Sequence, residues 1–286
     1  MRPGPEISLD LATAVPAAPA IIAAASGRFG PLSVIDTATS RELWCGELCQ
    51  GACYLDPPGW VQGRAVRPGP VPDASYVLGW LVPAVHRPTA RVLMAGLGSG
   101  AGVSALLHHF PAMRITVAEA DPTVTAMALA HFPLLAAHVD AGHCVVVTAG
   151  IDDLAQGQPQ RHFDFALLDA FAGDAQVYVP DHLLLALAQL PGGVWINAVD
   201  DGDGAQVTRV TQALLACGLL PRVAATTLDM SDGTAQRTDN VLVGTGPVDA
   251  GTLNRFRPFA DLDHPRARQI QAAWRAMLDL PWAVGR

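Results

Sequence analysis

The chain has little charge for its size. Of its 286 residues, 15% are Asp, Glu, Lys or Arg and half are hydrophobic. It is therefore long and apolar enough to bury a substantial core, as one large domain or as one with a small appendage. Its charge is also of the wrong sign for binding polyanions. A formal net charge of −8 speaks against nucleic acid or an anionic membrane surface as a partner. A disulfide framework is missing too, since the five cysteines are odd in number and show no paired pattern. Cys45, Cys49 and Cys53 stand four apart, but the stretch from Glu42 to Leu55 reads as strand, turn and strand. That spacing on a strand keeps thiols on one face while spreading them too far to share an ion. His108 and His109 are adjacent and diverge from a helix, and His131 and His138 have no third ligand nearby. No zinc spacing appears, and no metal is expected. Trp44, Trp60, Trp80 and Trp195 read as core or interface residues. No apolar run approaches the length of a membrane-spanning helix. The alanine-rich stretch 11–25 is preceded by Glu6 and Asp10 and broken by Pro16 and Pro19. It therefore reads as part of an irregular arm over 1–28 rather than as a signal peptide, and the expected location is the cytoplasm.

What the chain does have is glycine in a telling place. Arg91-Val-Leu-Met-Ala-Gly-Leu-Gly-Ser-Gly-Ala-Gly-Val-Ser-Ala-Leu-Leu107 opens on a short buried strand. It passes through Gly96, Gly98 and Gly100, then continues with Val103, Leu106, Leu107 and Phe110 at helical spacing until Pro111. Strand, glycine turn and helix start form a cradle for a nucleotide, because glycine permits a sharp turn and the first helical N–H groups face outward. A second strand, Arg114 to Glu119, ends in an acid. A carboxylate at that tip suits the two hydroxyls of a ribose. A nucleoside-containing ligand is expected.

Around this centre, Gly30 to Leu55 alternates polar and apolar residues with punctuating glycines, as in a small antiparallel sheet. Residues 56–72 hold five prolines and three glycines and are expected to form a loop. Tyr76 to Val85 reads as a helix. Strands at 92–96, 114–119, 143–148, 163–169 and 193–199 then alternate with helices near 101–110, 122–137, 152–156, 181–190 and 205–217. Two further strands, 222–228 and 240–244, and a helix at 264–279 complete the chain. Alternation of this kind implies a parallel sheet with right-handed crossovers. The predicted division is an arm over 1–28, a small β-domain with linker over 29–72, and an α/β domain over 73–286.

The sequence resembles the spermidine synthase family from about Gly30 to Gly244. The segments that carry the resemblance are Asp73-Ala-Ser-Tyr76 with Leu81-Val-Pro83, the glycine motif with its lead-in from His86, Ala118-Glu-Ala-Asp-Pro122, Phe163-Asp-Phe-Ala-Leu-Leu-Asp-Ala170 and Gly192-Gly-Val-Trp-Ile-Asn197. The resemblance implies a methyltransferase-like Rossmann fold, a seven-stranded sheet ending in an antiparallel strand pair, behind a small N-terminal antiparallel β-domain. It implies transfer of an aminopropyl group from decarboxylated S-adenosylmethionine to a small-molecule amine acceptor, by a homodimer. Asp169 would be the catalytic base, with Tyr76 beside it. Gly96, Gly98, Ser99, Gly100, Glu119, Ala149 and Asp152 would hold the nucleoside. Asp174, Asp200 and Asp201 would edge the same crevice and hold the acceptor, with a solvated, helix-capping loop as the other reading of Asp200 and Asp201. Chemistry independently favours Asp169: a sulfonium is already a good leaving group, so an enzyme has mainly to align the reactants and keep the amine unprotonated.

The chain departs from the resembled pattern in four places. Ser99 stands where the family's glycine motif usually has aspartate, and Val77 where glutamine usually follows the tyrosine. Thr148-Ala149 replaces a Gly-Asp pair, and Asp169 and Asp174 are more widely spaced than the usual aspartates. Ser99 removes an acid that would repel a methionine carboxylate, so intact S-adenosylmethionine and methyl transfer are an alternative. A non-catalytic nucleoside-binding protein is another. A nicotinamide enzyme, fitted through Gly96, Gly98 and Ala101, is opposed by the terminal strand pair.

Overall fold

The structure, a computed structural model, describes residues 19–56, 67–72, 76–150, 153–154, 162–169, 171–172, 175–176, 179–199, 205–225, 240–262, 265–279 and 283–284. Five antiparallel strands come first, paired in chain order: β1 (Ala20–Ser26), β2 (Pro31–Asp36), β3 (Ser40–Cys45), β4 (Leu48–Asp56) and β5 (Arg67–Pro72). Both edge strands differ from the sequence expectation. The arm over 1–28 contains β1, and the proline-rich loop over 56–72 contains β5. Alanine has low strand propensity, yet β1 is held by main-chain pairing to β2, which needs no particular side chain. In β5, Pro68, Pro70 and Pro72 lack N–H donors, and the strand occupies a sheet edge, where proline is tolerated. Cys45 ends β3, and Cys49 and Cys53 lie on β4, as the strand–turn–strand reading requires.

The helix α1 (Tyr76–His86) leads into the large sheet, burying Val77, Trp80 and Leu81 on its inner side. Next come β6 (Arg91–Ala95), α2 (Ala101–His109), β7 (Arg114–Glu119), α3 (Pro122–His131), α4 (Pro133–Asp140) and β8 (Cys144–Thr148). The sequence predicts a single helix over 122–137. Pro133 divides it: it cannot donate an amide hydrogen, and Phe132 before it sits at φ −117°, ψ 86°, so the two helices meet at a bend of 102°. β9 (Phe165–Leu168) follows, then a short ladder of β10 (Phe171–Ala172) with β11 (Ala175–Gln176). The chain continues through α5 (Asp181–Ala188), β12 (Val194–Val199), α6 (Ala205–Ala216), β13 (Arg222–Ala225) and β14 (Asn240–Gly244). It ends in α7 (Ala250–Arg255), α8 (Pro265–Asp279) and β15 (Ala283–Val284).

The large sheet runs β15-β13-β14-β12-β9-β6-β7-β8. From β8 to β12 the neighbours are parallel, and β14 then inserts antiparallel between β12 and β13. This is the Rossmann sheet with a terminal strand pair that the sequence implies, extended by one element: β15 adds an eighth strand on the edge of β13. The strand interiors are nearly continuous apolar runs because both faces are covered. On one face, Val92, Met94, Ile115, Val117, Phe165, Leu167 and Trp195 form the larger core with α1 and α2. On the other, Leu93, Ala95, Ala166, Leu168, Val194 and Ile196 pack with leucines of α5.

The two sheets grip each other around α3. Asp36 and Arg41 form a buried pair on β2 and β3, with Arg41 Nε 2.6 Å from Asp36 Oδ1 and Nη2 2.7 Å from Oδ2. Arg41 Nη1 donates to the His131 carbonyl at the C-terminal end of α3 (2.9 Å). At the other end, Asp121 caps α3 by accepting from Thr123 N (2.8 Å) and also accepts from Arg28 N in the β1–β2 turn (2.5 Å).

Candidate active site

Four strand ends line up into one row. Ala95 on β6 pairs laterally with Ala118 on β7 and with Leu168 on β9, and Leu168 pairs with Ile196 on β12. The next residue on each strand is Gly96, Glu119, Asp169 or Asn197, giving the order Glu119, Gly96, Asp169, Asn197 along the C-terminal edge of the sheet. The ladder bonds extend into this row: Gly96 N donates to Ala118 O (2.9 Å), Asp169 N to Ala95 O (2.8 Å) and Ala149 N to Glu119 O (3.0 Å). By strand alternation, Glu119, Asp169 and Asn197 project on the face of Val117, Leu167 and Trp195. Two strand spacings separate Glu119 from Asp169, about 10 Å. The carboxyl ends of parallel strands are where open α/β sheets bind ligands.

Glu119 is 8% exposed. Its Oε2 accepts from Leu97 N in the glycine turn, and its Oε1 from Asp121 N, both at 2.9 Å. Burial pushes its carboxyl above the usual carboxylate range, and the N–H donors of Asp121, Leu97 and Ala120 pull the other way. A carboxylate has about four lone-pair positions, so two backbone donors leave capacity for further hydroxyl donors. Asp121, only 1% exposed, links this acid to the small sheet through Arg28 N.

The glycine turn is built for close approach, although on one side the approaching group belongs to the protein itself. Gly98 has φ +53°, and a Cβ there would run into the Gln50 carbonyl oxygen on β4. Opposite it, a Cβ on Gly51 would run into Ser99 Oγ. Glycine at 98 and 51 thus lets strand and turn interlock, where the sequence reading assigned this freedom to ligand approach. Ser99 is 2% exposed and turned toward β4. Its Oγ also accepts from Ala101 N (3.4 Å). Any contact from Ser99 to a ligand therefore falls to its main chain. Gly100 is the N-cap of α2 at φ 76°.

Asp169 lies one residue beyond β9 and is partly exposed. Its Oδ1 accepts from Asn197 Nδ2 at 2.8 Å. Asn197 is 2% exposed. Tyr76 opens α1, and its side chain falls outside the described residues. Asp152, Asp174, Asp200 and Asp201 also fall outside them. Asp153, the acid next to Asp152, accepts from Gly150 N (2.7 Å) in the turn after β8. The structure therefore brings Gly96, Glu119, Ala149 and Asp169 together along one edge, with Gly98, Ser99 and Gly100 following in the turn. Sequence reasoning missed Asn197, Asp121 and Gly51. The first was legible only as a polar residue closing the apolar run Val194-Trp-Ile, and the second as an Asp-Pro helix start.

Comparison with known proteins places this geometry in context. No family model matches the chain. A polyamine aminopropyltransferase of Vibrio vulnificus is 34% identical over 94 residues, 33% of this chain; the matched region spans only 30% of that relative's length. Among solved structures, a spermidine synthase of Thermotoga maritima aligns over 91% of this chain and 84% of its own at TM-score 0.61 and 13% identity. A spermidine synthase in complex with the transition-state analogue AdoDATO aligns over 91% and 85% at TM-score 0.61 and 14% identity. A probable spermidine synthase of Corynebacterium glutamicum aligns over 79% and 80% at TM-score 0.57 and 13% identity. The chain is spermidine-synthase-like: it has their fold, and a third of it is related in sequence to an aminopropyltransferase.

Proposed function

We propose that this protein is an aminopropyltransferase that uses decarboxylated S-adenosylmethionine and a small amine. The observation that carries the reading is the single row of Glu119, Gly96 and Asp169 on one face, two strand spacings from end to end. Glu119 holds the ribose hydroxyls, and the turn from Gly96 to Gly100 runs beneath the sugar and the sulfonium. Ala149, bonded to Glu119 O, and Asp152 flank the adenine. Asp169, two strands on, meets the incoming amine, with Tyr76 beside it. Asp174, Asp200 and Asp201 hold the acceptor's distal ammonium.

The chemistry asks little of the protein beyond alignment and a proton acceptor. The amine lone pair forms a bond to the aminopropyl carbon attached to sulfur. The carbon–sulfur bond breaks, its electron pair stays on sulfur, and neutral methylthioadenosine leaves. Asp169 accepts a hydrogen bond from the attacking neutral amine and takes the surplus proton from the secondary ammonium that forms. On this reading the protein works in the cytoplasm as a homodimer, without a metal, nucleic acid or membrane.

The test is calorimetric titration with methylthioadenosine, decarboxylated S-adenosylmethionine and S-adenosylmethionine, followed by assay with diamines. Tighter binding of the decarboxylated form and transfer to a diamine support the reading. Preference for the intact form, with methyl transfer, overturns it.

A further inference from the structure

We propose that Asn197 is a positioning residue for Asp169, fixing the rotamer of its carboxylate and favouring its ionised form. The inference rests on the aminopropyl-transfer reading for its catalytic consequence, whereas the pairing itself rests on geometry. Asn197 has an amide at the end of an otherwise apolar strand and is 2% exposed. Burying an amide this deeply costs free energy unless it is hydrogen-bonded. The parallel register of β9 and β12 sets Asn197 directly beside Asp169, on the same face, and its Nδ2 donates to Asp169 Oδ1 at 2.8 Å. The strand itself is well fixed: Trp195, two residues earlier, is fully buried with its indole N–H on the Gly192 carbonyl (2.9 Å). On the far side Asn197 pairs with Leu242 of β14. The donor is thus anchored from both neighbouring strands, while its acceptor sits one residue past the end of β9.

Such a donor does two things. It holds one carboxylate oxygen in the sheet edge and so fixes the direction in which the group faces the incoming amine. It also bonds the ionised carboxylate better than the protonated acid, which extends downward the pH range over which Asp169 serves as a proton acceptor.

The test compares the parent protein with Asn197→Leu, close in volume but without the donor, and Asn197→Asp, nearly isosteric with a second carboxyl. Thermal unfolding first establishes which variants fold; the aspartate variant serves if the leucine variant does not. The readouts are the pH dependence of kcat, the KM for decarboxylated S-adenosylmethionine, and the 13C-carboxyl titration of Asp169, assigned through Asp169→Asn. The leucine variant is expected to lose about 10-fold in kcat, with KM within about 2-fold. The acidic limb of its profile and the Asp169 carboxyl titration both move to higher pH, and further still in the aspartate variant. Profiles and titrations that coincide with the parent's overturn the inference. If the parent transfers no aminopropyl group at all, the functional reading fails. The carboxyl titration then decides the pairing alone: a shift in the leucine variant supports it, and an unchanged midpoint overturns it.

Discussion

Glu119 and Asp169 are two carboxylates in one row, on one face, two strands apart, and the protein treats them differently. Glu119 is buried, and both of its oxygens are held by main-chain N–H groups of Leu97 and Asp121. Asp169 is partly exposed, and the partner identified on its Oδ1 is a side chain, Asn197. An acid held by backbone is built into the turn it braces and cannot be removed without loosening that turn. An acid held by a side chain at the rim can change its protonation while the fold stands. The first arrangement suits a binding residue and the second suits a reacting one.

The strongest way to break this comparison is Asp169→Asn. Turnover is expected to fall at least 100-fold, the scale of losing a positioned proton acceptor. Calorimetric affinity for methylthioadenosine should stay within about 3-fold, and the melting temperature should hardly move. Residual activity close to the parent's would remove Asp169 from the chemistry. Glu119→Ala is expected to do the reverse. It leaves two buried backbone donors without their acceptor, at about 1–3 kcal/mol each. The expectation is a loss of about 2–6 kcal/mol in unfolding free energy, together with at least 10-fold in nucleoside affinity. Normal stability in that variant would mean that Glu119 does not brace the turn.

Gly98→Ala sharpens the same contrast from the side of the turn. The new Cβ meets the Gln50 carbonyl oxygen, main chain against main chain, at a φ that alanine adopts only with strain. Strain and overpacking together predict about 2–4 kcal/mol of destabilisation, read by denaturant unfolding. Nucleoside affinity should fall with it, because the turn and Glu119 are one bonded unit. A stable Gly98→Ala protein would show that β4 yields, and that the small sheet is not a rigid wall of the site.

How much of this was legible in the sequence divides along the same line. The strand, the glycine turn, the second strand ending at Glu119 and the strand ending at Asp169 were legible because each is local: an apolar run closed by one polar residue. The terminal strand pair followed from the order of elements. β1 and β5 were not legible, since four of the seven residues of β1 are alanine and three of the six of β5 are proline, which dilutes any strand signal until pairing with a neighbour sets it. Gly51 opposite Ser99, Arg28 on Asp121 and Asn197 on Asp169 join positions 48, 93 and 28 residues apart. No periodicity relates such pairs; they exist only once the parallel register and the seating of the small sheet are set. The sequence therefore displayed the two acids and concealed what holds each of them.

The smallest effect concerns pH, and here Glu119 and His109 act with opposite signs. Burial raises the Glu119 pKa above its ordinary value of 4.5. The folded chain then holds this proton more tightly than the unfolded one, so Glu119 takes stability away as pH rises above 4.5 toward its native pKa. His109 acts in the opposite direction. Burial, helped by His108 and opposed by Asp261, lowers its pKa from 6.5 to about 4. It is seated between Phe256 and Phe259 and accepts from Phe259 N at 3.3 Å, a bond that protonation removes. The unfolded chain binds this proton first, so the His109 contribution is complete above pH 6.5 and is lost as pH falls toward 4, at most about 3 kcal/mol. Above pH 4.5, up to the native pKa of Glu119, the two trends oppose each other. His109→Gln should therefore flatten the rise in stability with pH measured by urea unfolding, and Glu119→Gln should steepen it. If Glu119→Gln leaves the slope unchanged, the buried acid is ionised at no cost over this range, and its place in the turn is no more demanding than that of Asp169 at the rim.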